Sequence, residues 1–447
     1  MLNRSTSSQA RAPRLEDLPG EYGWPLIGMT LRELRQPLAY SRYMLERYGS
    51  VYRTFTLLTK KVVAVGPEAN EFFLLDKEKN FSSKLGWSGY MENIFSRNLL
   101  LMDDEEHRVN RRWVQTAFSA AALKDYYQIL HEGFATALAQ WPVNTVFRFY
   151  DRVKRATLDQ AADIFFGMKD EVRLPAINKA VTDMMLALTS FVRVPLPGMK
   201  YWNGIRGSRY MDRVLSEEVP RRRGVDGGKD ILSILCNIKN ESGFAISDYE
   251  VVEHIKPFWM AAHDTISSSV SALTYELARN PDWQERIRQE LTAEKGDSLA
   301  YERLNSLQKT EWALNEAMRL HSPVPSIPRV ARRDVTFGGR VIPKGTLVVV
   351  LLLLTHRMPQ YWPDPDVFDP ERFTPDRARN IPKLTFLPFG AGSHACLGRI
   401  FAYNSAKVIM FQLLRRFRLR LLHDADPFYP IPISRPLNGL PLILTPL

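Results

Sequence analysis

The stretch FGAGSHACLG, residues 389–398, places a cysteine, Cys396, in a glycine-rich segment just before a long amphipathic segment. Gly390 and Gly392 permit a tight loop whose backbone can approach a planar group closely. A cysteine at the start of a helix lies beside free backbone N–H groups and the positive end of the helix dipole. Both lower the pKa of the thiol and favour a thiolate metal ligand. The stretch therefore predicts a loop that presents one thiolate to a metal.

The cysteine count agrees with this interpretation. The chain contains two cysteines, Cys236 and Cys396. Two are too few for a disulfide framework or for a cysteine-rich zinc or iron–sulfur site. Cys236 lies in a helical apolar stretch, where a buried, inert thiol is the ordinary expectation. A single thiolate ligand needs only one cysteine, and Cys396 is the candidate.

A long helix is predicted upstream of the cysteine loop. It begins at a capping box in SDYE, residues 247–250, and ends at the stop signal Asn280-Pro281. Its length of roughly 32 residues corresponds to about 48 Å at 1.5 Å per residue. Pro257 removes a backbone hydrogen bond, and the polar stretch AAHDT follows at 261–265. A polar patch in the middle of a long capped helix indicates a function rather than an N-cap or a solvated face.

The rest of the chain is predicted to be mainly helical, with short strands. Further helices are expected near 104–120, 122–140, 150–168, 205–219, 282–295, 310–321 and 398–415. Strands are expected near 51–57, 61–65, 335–337, 341–342, 347–350, 417–422 and 440–444. No linker, repeat or low-complexity tract interrupts this pattern. We therefore expect a mainly α fold with small β-sheets (α+β), in one domain over 15–447, after a disordered tail at 1–14.

At these residues the chain resembles the cytochrome P450 family, and the resemblance extends over nearly the whole chain. Every position of the family's haem-loop pattern, Phe-Gly-x-Gly-x-Arg/His-x-Cys-x-Gly, is matched at 389–398. The resemblance implies the cytochrome P450 fold, with haem b between the long distal helix and the cysteine loop. It implies that Cys396 is the iron ligand, and in the cytochromes P450 such a thiolate favours O–O cleavage. It also implies that Phe389 shields the sulfur, that His394 contacts a haem propionate, and that Gly398 belongs to the cofactor-binding loop.

A second part of the resemblance is a charge network. EAMR at 316–319 and PERF at 370–373 match two family patterns at the usual separation. The resemblance implies that Glu316, Arg319 and Arg372 form a buried network that braces the haem loop. Two arginines can satisfy the acceptors of one carboxylate, and loss of either leaves buried charge unpaired. The implied role is structural rather than catalytic.

A third part is the polar patch of the long helix. AAHDT at 261–265 resembles the family pattern Ala/Gly-Gly-x-Asp/Glu-Thr, with alanine where glycine is commoner. The resemblance implies that Thr265 hydrogen-bonds the oxygen bound at the iron and that Asp264 relays protons from solvent. An acid beside an alcohol suits the proton delivery that O–O cleavage needs.

The resemblance also implies cationic contacts to the haem propionates. His107 and Arg111 lie four residues apart, hence on one helix face, and match the family's His-x-x-x-Arg. Arg329 matches a third propionate ligand.

Substrate contacts are implied in mostly apolar segments, which together predict a hydrophobic pocket. The segments are the loop at 83–101 and the stretch at 184–194, and the individual residues are Phe258, Met260, Ala261, Val324, Ile327, Ile433 and Ser434. The proline-containing motifs at 18–20, 25–28 and 195–198 resemble the branch of the family that handles retinoids and sterols. An apolar substrate of terpenoid, sterol or fatty-acid type is therefore expected.

The implied activity is that of a haem-thiolate monooxygenase, which hydroxylates its substrate with O2 and two electrons. No reductase module fits in the chain, so a ferredoxin or flavodoxin with an NAD(P)H-dependent reductase is the expected partner. Its predicted docking surface is basic and consists of Arg399, Lys407, Arg415, Arg416 and Arg418. Two alternatives are a peroxide-dependent peroxygenase or isomerase, and a non-enzymatic haem protein that binds a ligand. Retention of Asp264 and Thr265 disfavours both.

Charge and hydropathy limit the remaining partners. Lysine and arginine number 60 against 49 acids, a net charge of +11. The basic residues are spread along the chain without a binding motif, so no nucleic acid is expected. The longest apolar run, 347–354, is far shorter than the ~20 residues of a membrane-spanning helix. We expect a soluble, cytoplasmic, bacterial-type monomer with no transmembrane anchor.

Overall fold

The computed structural model describes residues 12–168, 172–188, 190, 193–239, 243–293, 299–423 and 427–447. Most of the predicted tail, residues 1–11, lies outside the described residues. Residues 12–14 have no regular secondary structure and lead into a short 3-10 turn at Leu15–Asp17.

Helices are the dominant secondary structure of the described chain, as predicted. They are α1 (Thr30–Arg35), α2 (Pro37–Tyr48), α3 (Pro67–Asn70), α4 (Ser83–Met91), α5 (Asp104–Gln115), α6 (Ala120–Leu138), α7 (Phe149–Phe166), α8 (Leu174–Leu188), α9 (Lys200–Arg222), α10 (Ile231–Asn237), α11 (Asp248–Arg279), α12 (Pro281–Thr292), α13 (Gln308–Leu320), α14 (Leu352–Thr355), α15 (Pro375–Ala378) and α16 (Arg399–Leu414).

The long helix α11 has the predicted ends. The Ser247 side chain accepts from the backbone N–H of Glu250, and the Glu250 side chain accepts in return from the N–H of Ser247, which completes the capping box. The helix continues through Pro257 and is buried on most sides, which explains its weak amphipathic pattern. It therefore forms the central axis around which the other helices pack.

Within the described residues, four β-sheets flank the helices. The strands are β1 (Gly20–Glu21), β2 (Val51–Thr56), β3 (Thr59–Ala64), β4 (Phe81–Ser82), β5 (Val146–Arg148), β6 (Ser326–Ala331), β7 (Val335–Phe337), β8 (Arg340–Ile342), β9 (Leu347–Leu351), β10 (Phe417–Leu421), β11 (Phe428–Tyr429), β12 (Arg435–Pro436) and β13 (Pro441–Pro446). The largest sheet has the order β1-β2-β3-β9-β6-β4, and a second has the order β10-β13-β5. The predicted hairpin is confirmed as the antiparallel pair β2–β3, with Val51 opposite Ala64.

The strands β1, β4, β5, β6, β11 and β12 were not predicted, and of these β6 lies inside the largest sheet and contains Pro328. Proline cannot donate a ladder hydrogen bond, so a proline normally argues against an internal strand. Here the neighbouring strand β4 pairs only with Val330 and Ala331. Pro328 therefore has a strand partner on one side only, at Val349 of β9, and the ladder tolerates it.

The hydrophobic core lies between the helices. Its largest cluster of buried side chains includes residues of α6, α7, α9, α11 and α16. A smaller cluster covers one face of the largest sheet and includes Val62, Val348 and Val350. No helix within the described part of the chain combines the length and apolar character needed to cross a membrane.

Candidate functional site

The cysteine loop has the predicted form. It contains a short 3-10 turn at Gly392–His394, and α16 follows, with Gly398 as its N-cap. The N–H of Cys396 donates to the carbonyl of Phe389 at 2.9 Å, which closes the loop. Gly392 has φ +71°, and a Cβ there would lie 2.1 Å from the carbonyl oxygen of Leu74. Only glycine fits this close approach of two backbones.

The environment of the Cys396 thiol differs from the expectation. Burial of its surroundings raises the pKa of the thiol, although the N–H of Gly398 and the charge of Arg111 act in the opposite direction. The residue as a whole is nevertheless exposed. The direction is therefore opposite to the expectation, because desolvation outweighs the Gly398 N–H at the start of α16 and the charge of Arg111. Coordination to a metal ion deprotonates a thiol outright. Cys236 is buried and its pKa is raised to about 11, which agrees with the predicted inert thiol.

Two histidines and two arginines converge beside the cysteine loop. The rings of His107 and His394 lie 3.9 Å apart. Burial and nearby arginines lower the pKa of His107 to about 4. For His394, burial is the largest cause and His107 and the arginines add to it, so that its pKa falls to about 2. Burial also lowers the pKa of Arg329 to about 10. Arg111 donates to the carbonyl of Ala395 at 2.7 Å, which ties α5 to the loop. These groups are crowded together, and His107 and Arg329 are buried, as expected where anions bind.

The predicted charge network comes together in the structure. The guanidinium of Arg319 donates twice to Glu316, at 2.7 Å to each carboxylate oxygen. Arg372 Nε donates to the same carboxylate at 3.2 Å. Glu316 and Arg319 are fully buried. Because Arg319 Nη1 also donates to the carbonyls of His356 and Pro365, at 2.9 and 2.7 Å, the network holds the segment that precedes the cysteine loop.

Sequence reasoning missed His356, which joins this network to the cysteine loop. Its Nε2 accepts the backbone N–H of Leu387 at 2.9 Å. Burial, with the charges of Arg319 and Arg357, lowers its pKa to about 3, so the imidazole is neutral. Its proton is then on Nδ1, which donates to Ser322 Oγ at 2.8 Å. A lone histidine at the end of an apolar run gives no local signal for this bridge.

The polar patch of α11 presents its acid and its alcohol on different sides. Thr265 Oγ1 donates to the carbonyl of Ala261 at 2.6 Å, and both residues are accessible. Asp264 is buried, and its Oδ1 lies 2.7 Å from Lys154 Nζ of α7 and 3.4 Å from His263 Nε2. Burial alone would raise the pKa of Asp264, but His263 and Lys154 outweigh it and the pKa is lowered. Lys154 is distant in sequence, so no local pattern could have revealed it.

Among the predicted substrate residues, several lie near the cysteine loop. Phe258 packs edge-to-face against Phe118, with ring centroids 6.0 Å apart, and shares a cluster with Leu397, next to Cys396. The Ile327 side chain reaches within 3.2 Å of the Cβ position of Gly390. The backbone N–H of Ser434 donates to the carbonyl of Pro323 at 3.0 Å, which brings the turn at 433–434 beside Val324.

The two predicted substrate segments, 83–101 and 184–194, are partly helical. The expectation of a loop over 83–101 is wrong for its first half, because Ser83–Met91 form α4, with Ser82 as a side-chain N-cap. Of the stretch at 184–194, residues up to Leu188 belong to α8, and residues 189, 191 and 192 lie outside the described residues. Met260 and Ala261 lie on α11, where Met260 is partly buried and Ala261 is exposed.

Comparison with known proteins identifies the family. A family profile described as Cytochrome P450 matches residues 18–432. The chain belongs to the cytochrome P450 family. It is 33% identical over 442 residues to the putative cytochrome P450 136 of Mycobacterium tuberculosis, covering 97% of this chain and 89% of the relative. It is 28% identical over 409 residues to the cyclooctat-9-en-7-ol 5-monooxygenase of Streptomyces melanosporofaciens, covering 89% and 88%.

A solved P450 structure gives the same result for the fold. The retinoic acid-bound cyanobacterial CYP120A1 superposes with a TM-score of 0.88 at 27% identity, over 98% of this chain and 100% of that one. The predicted fold class is thereby confirmed. The chain is a P450 monooxygenase, and its cofactor is haem b.

The residues of this P450 fit haem b. Within the described residues, His107 Nε2 and His394 Nδ1 are buried and lack a hydrogen-bond partner. With the guanidinium groups of Arg111 and Arg329 they provide donors suited to two carboxylates. The glycine loop allows close backbone approach to a planar group, and Cys396 supplies the soft sulfur ligand that iron accepts.

The predicted electron-donor surface of this P450 is not formed as expected. Lys407 is 2% exposed, and its Nζ donates to Glu311 Oε2 at 2.6 Å and to the carbonyl of Leu304 at 2.9 Å. It cannot take part in docking. The 16 residues of α16 also separate Arg399 from Arg415 by about 24 Å. Exposed basic residues close to the cysteine loop are Arg399 and Arg112 of α5, the helix that Arg111 ties to the loop.

We expect the Lys154→Met variant to be less stable than the wild type by about 2 kcal/mol at neutral pH, since it leaves the buried Asp264 carboxylate without its cation. Because the pKa of Asp264 is lowered on folding, its ionisation stabilises the native state above its unfolded pKa near 4. This stabilisation is lost as the pH falls through the folded pKa, so the difference between variant and wild type should shrink below about pH 4. Denaturant unfolding over this pH range measures it.

Lys154→Arg, which keeps the charge, is the matched control for this variant. A Lys154→Met deficit that stays constant with pH would contradict the ion pair as its cause.

Proposed function

We propose that this P450 hydroxylates an apolar substrate of terpenoid, sterol or fatty-acid type, with O2 and two electrons from a separate ferredoxin or flavodoxin. The observation that carries the substrate class is the apolar environment of the cysteine loop, where Ile327 contacts Gly390 and Phe258 shares a cluster with Leu397. Such a surface selects apolar ligands by burial and offers few polar contacts. The names of the cyclooctat-9-en-7-ol monooxygenase and the retinoic acid-bound P450 agree with this class.

In this proposal, haem b supplies the binding and activation of O2 when it is bound. Cys396 would ligate its iron, and His107, Arg111, Arg329 and His394 would hold its carboxylates. The buried imidazole nitrogens without partners support this assignment. Phe389, whose ring packs against Tyr403 at 5.4 Å, is proposed to shield the sulfur once the cofactor is bound.

The protein's proton path is proposed to run along the polar patch of α11. Lys154 is partly exposed, and Asp264 lies behind it, so the pair connects solvent to the buried interior. Thr265 holds a hydroxyl proton on the accessible side of the helix, next to the carbonyl of Ala261. The side chains of Asp264 and Thr265 are bonded to other groups, Lys154 and the carbonyl of Ala261. A water molecule or a rotation of the carboxylate therefore has to join them.

The electron donor is proposed to be an acidic protein that docks beside the cysteine loop. The support is the charge of this chain, +11, and the exposure of Arg399 and Arg112 next to the loop. Complementary charge accelerates such encounters and makes them depend on salt.

A ligand panel tests the substrate class. The ferric protein is titrated with retinoic acid, cholesterol, a diterpene alcohol and lauric acid, and the shift of the haem absorption band is recorded. Ligands that shift the band are then incubated with O2, NADPH and a ferredoxin system. We expect at least one panel member to shift the band and to yield a singly hydroxylated product. No shift from any of them, or product formed with hydrogen peroxide but not with the reductase system, would contradict the proposal.

A further inference from the structure

Glu253 and Lys256 form a buried ion pair on α11, shortly before Phe258. Lys256 Nζ lies 2.8 Å from Glu253 Oε1, and the two side chains are only 1% and 5% exposed. Burying two charges carries a large desolvation penalty, and replacement of such a pair by apolar side chains is often neutral or stabilising. A gain in folding stability therefore does not explain why two charged side chains are buried here.

Glu253 of this pair also binds residues 92–98, a segment without regular secondary structure that follows α4. Glu253 Oε2 accepts from Ser96 Oγ at 2.7 Å and from the backbone N–H of Arg97 at 2.8 Å. Lys256 donates on its other side to Asp212 of α9. One carboxylate thus joins the segment to the middle of α11, and the ammonium group joins it to α9.

The same segment is held from two more sides. The Ser208 hydroxyl donates to the carbonyl of Ile94 at 2.7 Å, and the Asn93 amide donates to the Tyr201 hydroxyl at 2.8 Å. The guanidinium of Arg97 pairs with Glu250 at 3.2 Å and with Glu106 of α5 at 3.0 Å. Backbone hydrogen bonds to Ser88 and Met91 of α4 hold residues 92, 94 and 95, and side chains of α5, α9 and α11 hold residues 93–97 from the other sides.

The residues just after this segment pack near the cysteine loop. Leu99 and Met102, just after it, pack in one cluster with Phe258 and with Leu397, the neighbour of Cys396. A displacement of residues 93–97 would therefore move Leu99 and Met102, which lie in or next to the segment 83–101 where substrate contacts are expected. Among the described residues, the carboxylate buried against this segment is that of Glu253.

We propose that Glu253 and Lys256 are positioning residues, which set the affinity for bulky ligands by holding residues 93–97 over the distal side of the site. The inference rests on the proposed function, because it concerns the substrate side of that same site. Lys256 orients the Glu253 carboxylate, and Glu253 holds the Ser96 hydroxyl and the Arg97 amide. Charge-assisted hydrogen bonds of this kind are about twice as strong as neutral ones.

Two azoles test the proposal. Imidazole coordinates iron and is too small to contact residues 93–102, whereas clotrimazole carries three aryl rings that fill the space above the haem. We expect Lys256→Met to weaken clotrimazole binding, measured by the shift of the haem band, by about tenfold. Imidazole binding and the carbon monoxide band of the reduced protein should be unchanged. Lys256→Arg, which keeps the charge, is the matched control and should bind both azoles as the wild type does.

The double variant Glu253→Gln/Lys256→Met removes the risk of an unpaired buried charge. If Lys256→Met does not accumulate, the double variant is used instead to test the positioning role. Its glutamine still accepts one hydrogen bond from the segment. Weaker clotrimazole binding with unchanged imidazole binding supports the proposal. Wild-type affinity for clotrimazole, or an equal loss for both azoles, overturns it. If the wild-type protein lacks the thiolate-type carbon monoxide band, the assigned cofactor site is refuted. This failure differs from a failure of the ion-pair proposal, which shows only in the comparison of the two azoles.

Discussion

The Cys396→Ser variant should lose the thiolate-type carbon monoxide band and all hydroxylation activity. Serine cannot provide the sulfur ligand whose electron donation favours O–O cleavage in this family. The substitution should spare the loop, because the bond that closes it joins the backbone N–H of residue 396 to the carbonyl of Phe389. The reduced carbon monoxide spectrum and product formation are the two measurements.

Cys236→Ser is the matched control for this substitution. Cys236 is buried and the pKa of its thiol is raised, so it is neither accessible nor ionised. The band should survive in this control. A thiolate-type band in Cys396→Ser would show that the ligand has been assigned to the wrong cysteine.

The second large effect is expected at the charge network. Arg319→Met removes two hydrogen bonds from the fully buried Glu316, which keeps one from Arg372 Nε and one from the backbone N–H of Asp369. Breaking a buried pair by removing one partner costs about 3–5 kcal/mol. Denaturant unfolding of the purified variant should show this loss, together with a lower haem content, because the network holds the segment before the cysteine loop.

An exposed pair provides the comparison for Arg319. Arg379 and Asp376 are also three residues apart, but their side chains are 68% and 87% exposed. Arg379→Met should cost no more than about 1 kcal/mol. Similar losses in the two variants would mean that burial of Glu316 does not matter.

Local signals predicted the long helix well. The capping box at 247–250 and the stop at Asn280-Pro281 depend on residues adjacent in the chain, and α11 has those ends. Strand β6 was not predicted, and whether Pro328 can be tolerated there depends on how far the neighbouring strand β4 extends. The resemblance implied a loop at 83–101, yet α4 forms in its first half.

Charged residues were predicted less well than apolar ones. Lys407 was expected on a docking surface, but α16 is buried on most sides and Lys407 pairs with Glu311 inside the protein. The pKa of Cys396 was expected to fall because of its place before a helix, and burial reverses the direction. In both cases the sign of the effect depends on burial, which is a property of the packed chain.

The sequence by itself determined the family, the cysteine loop with its glycines, and both ends of the long helix, because each depends on neighbouring residues. Only the tertiary structure decided which charges meet. Lys154 reaches Asp264, Glu253 reaches Arg97, and His356 reaches Leu387, each across a long stretch of chain. Such pairs form because packing removes both partners from water, and a buried charge or imidazole must then find a partner wherever the fold provides one.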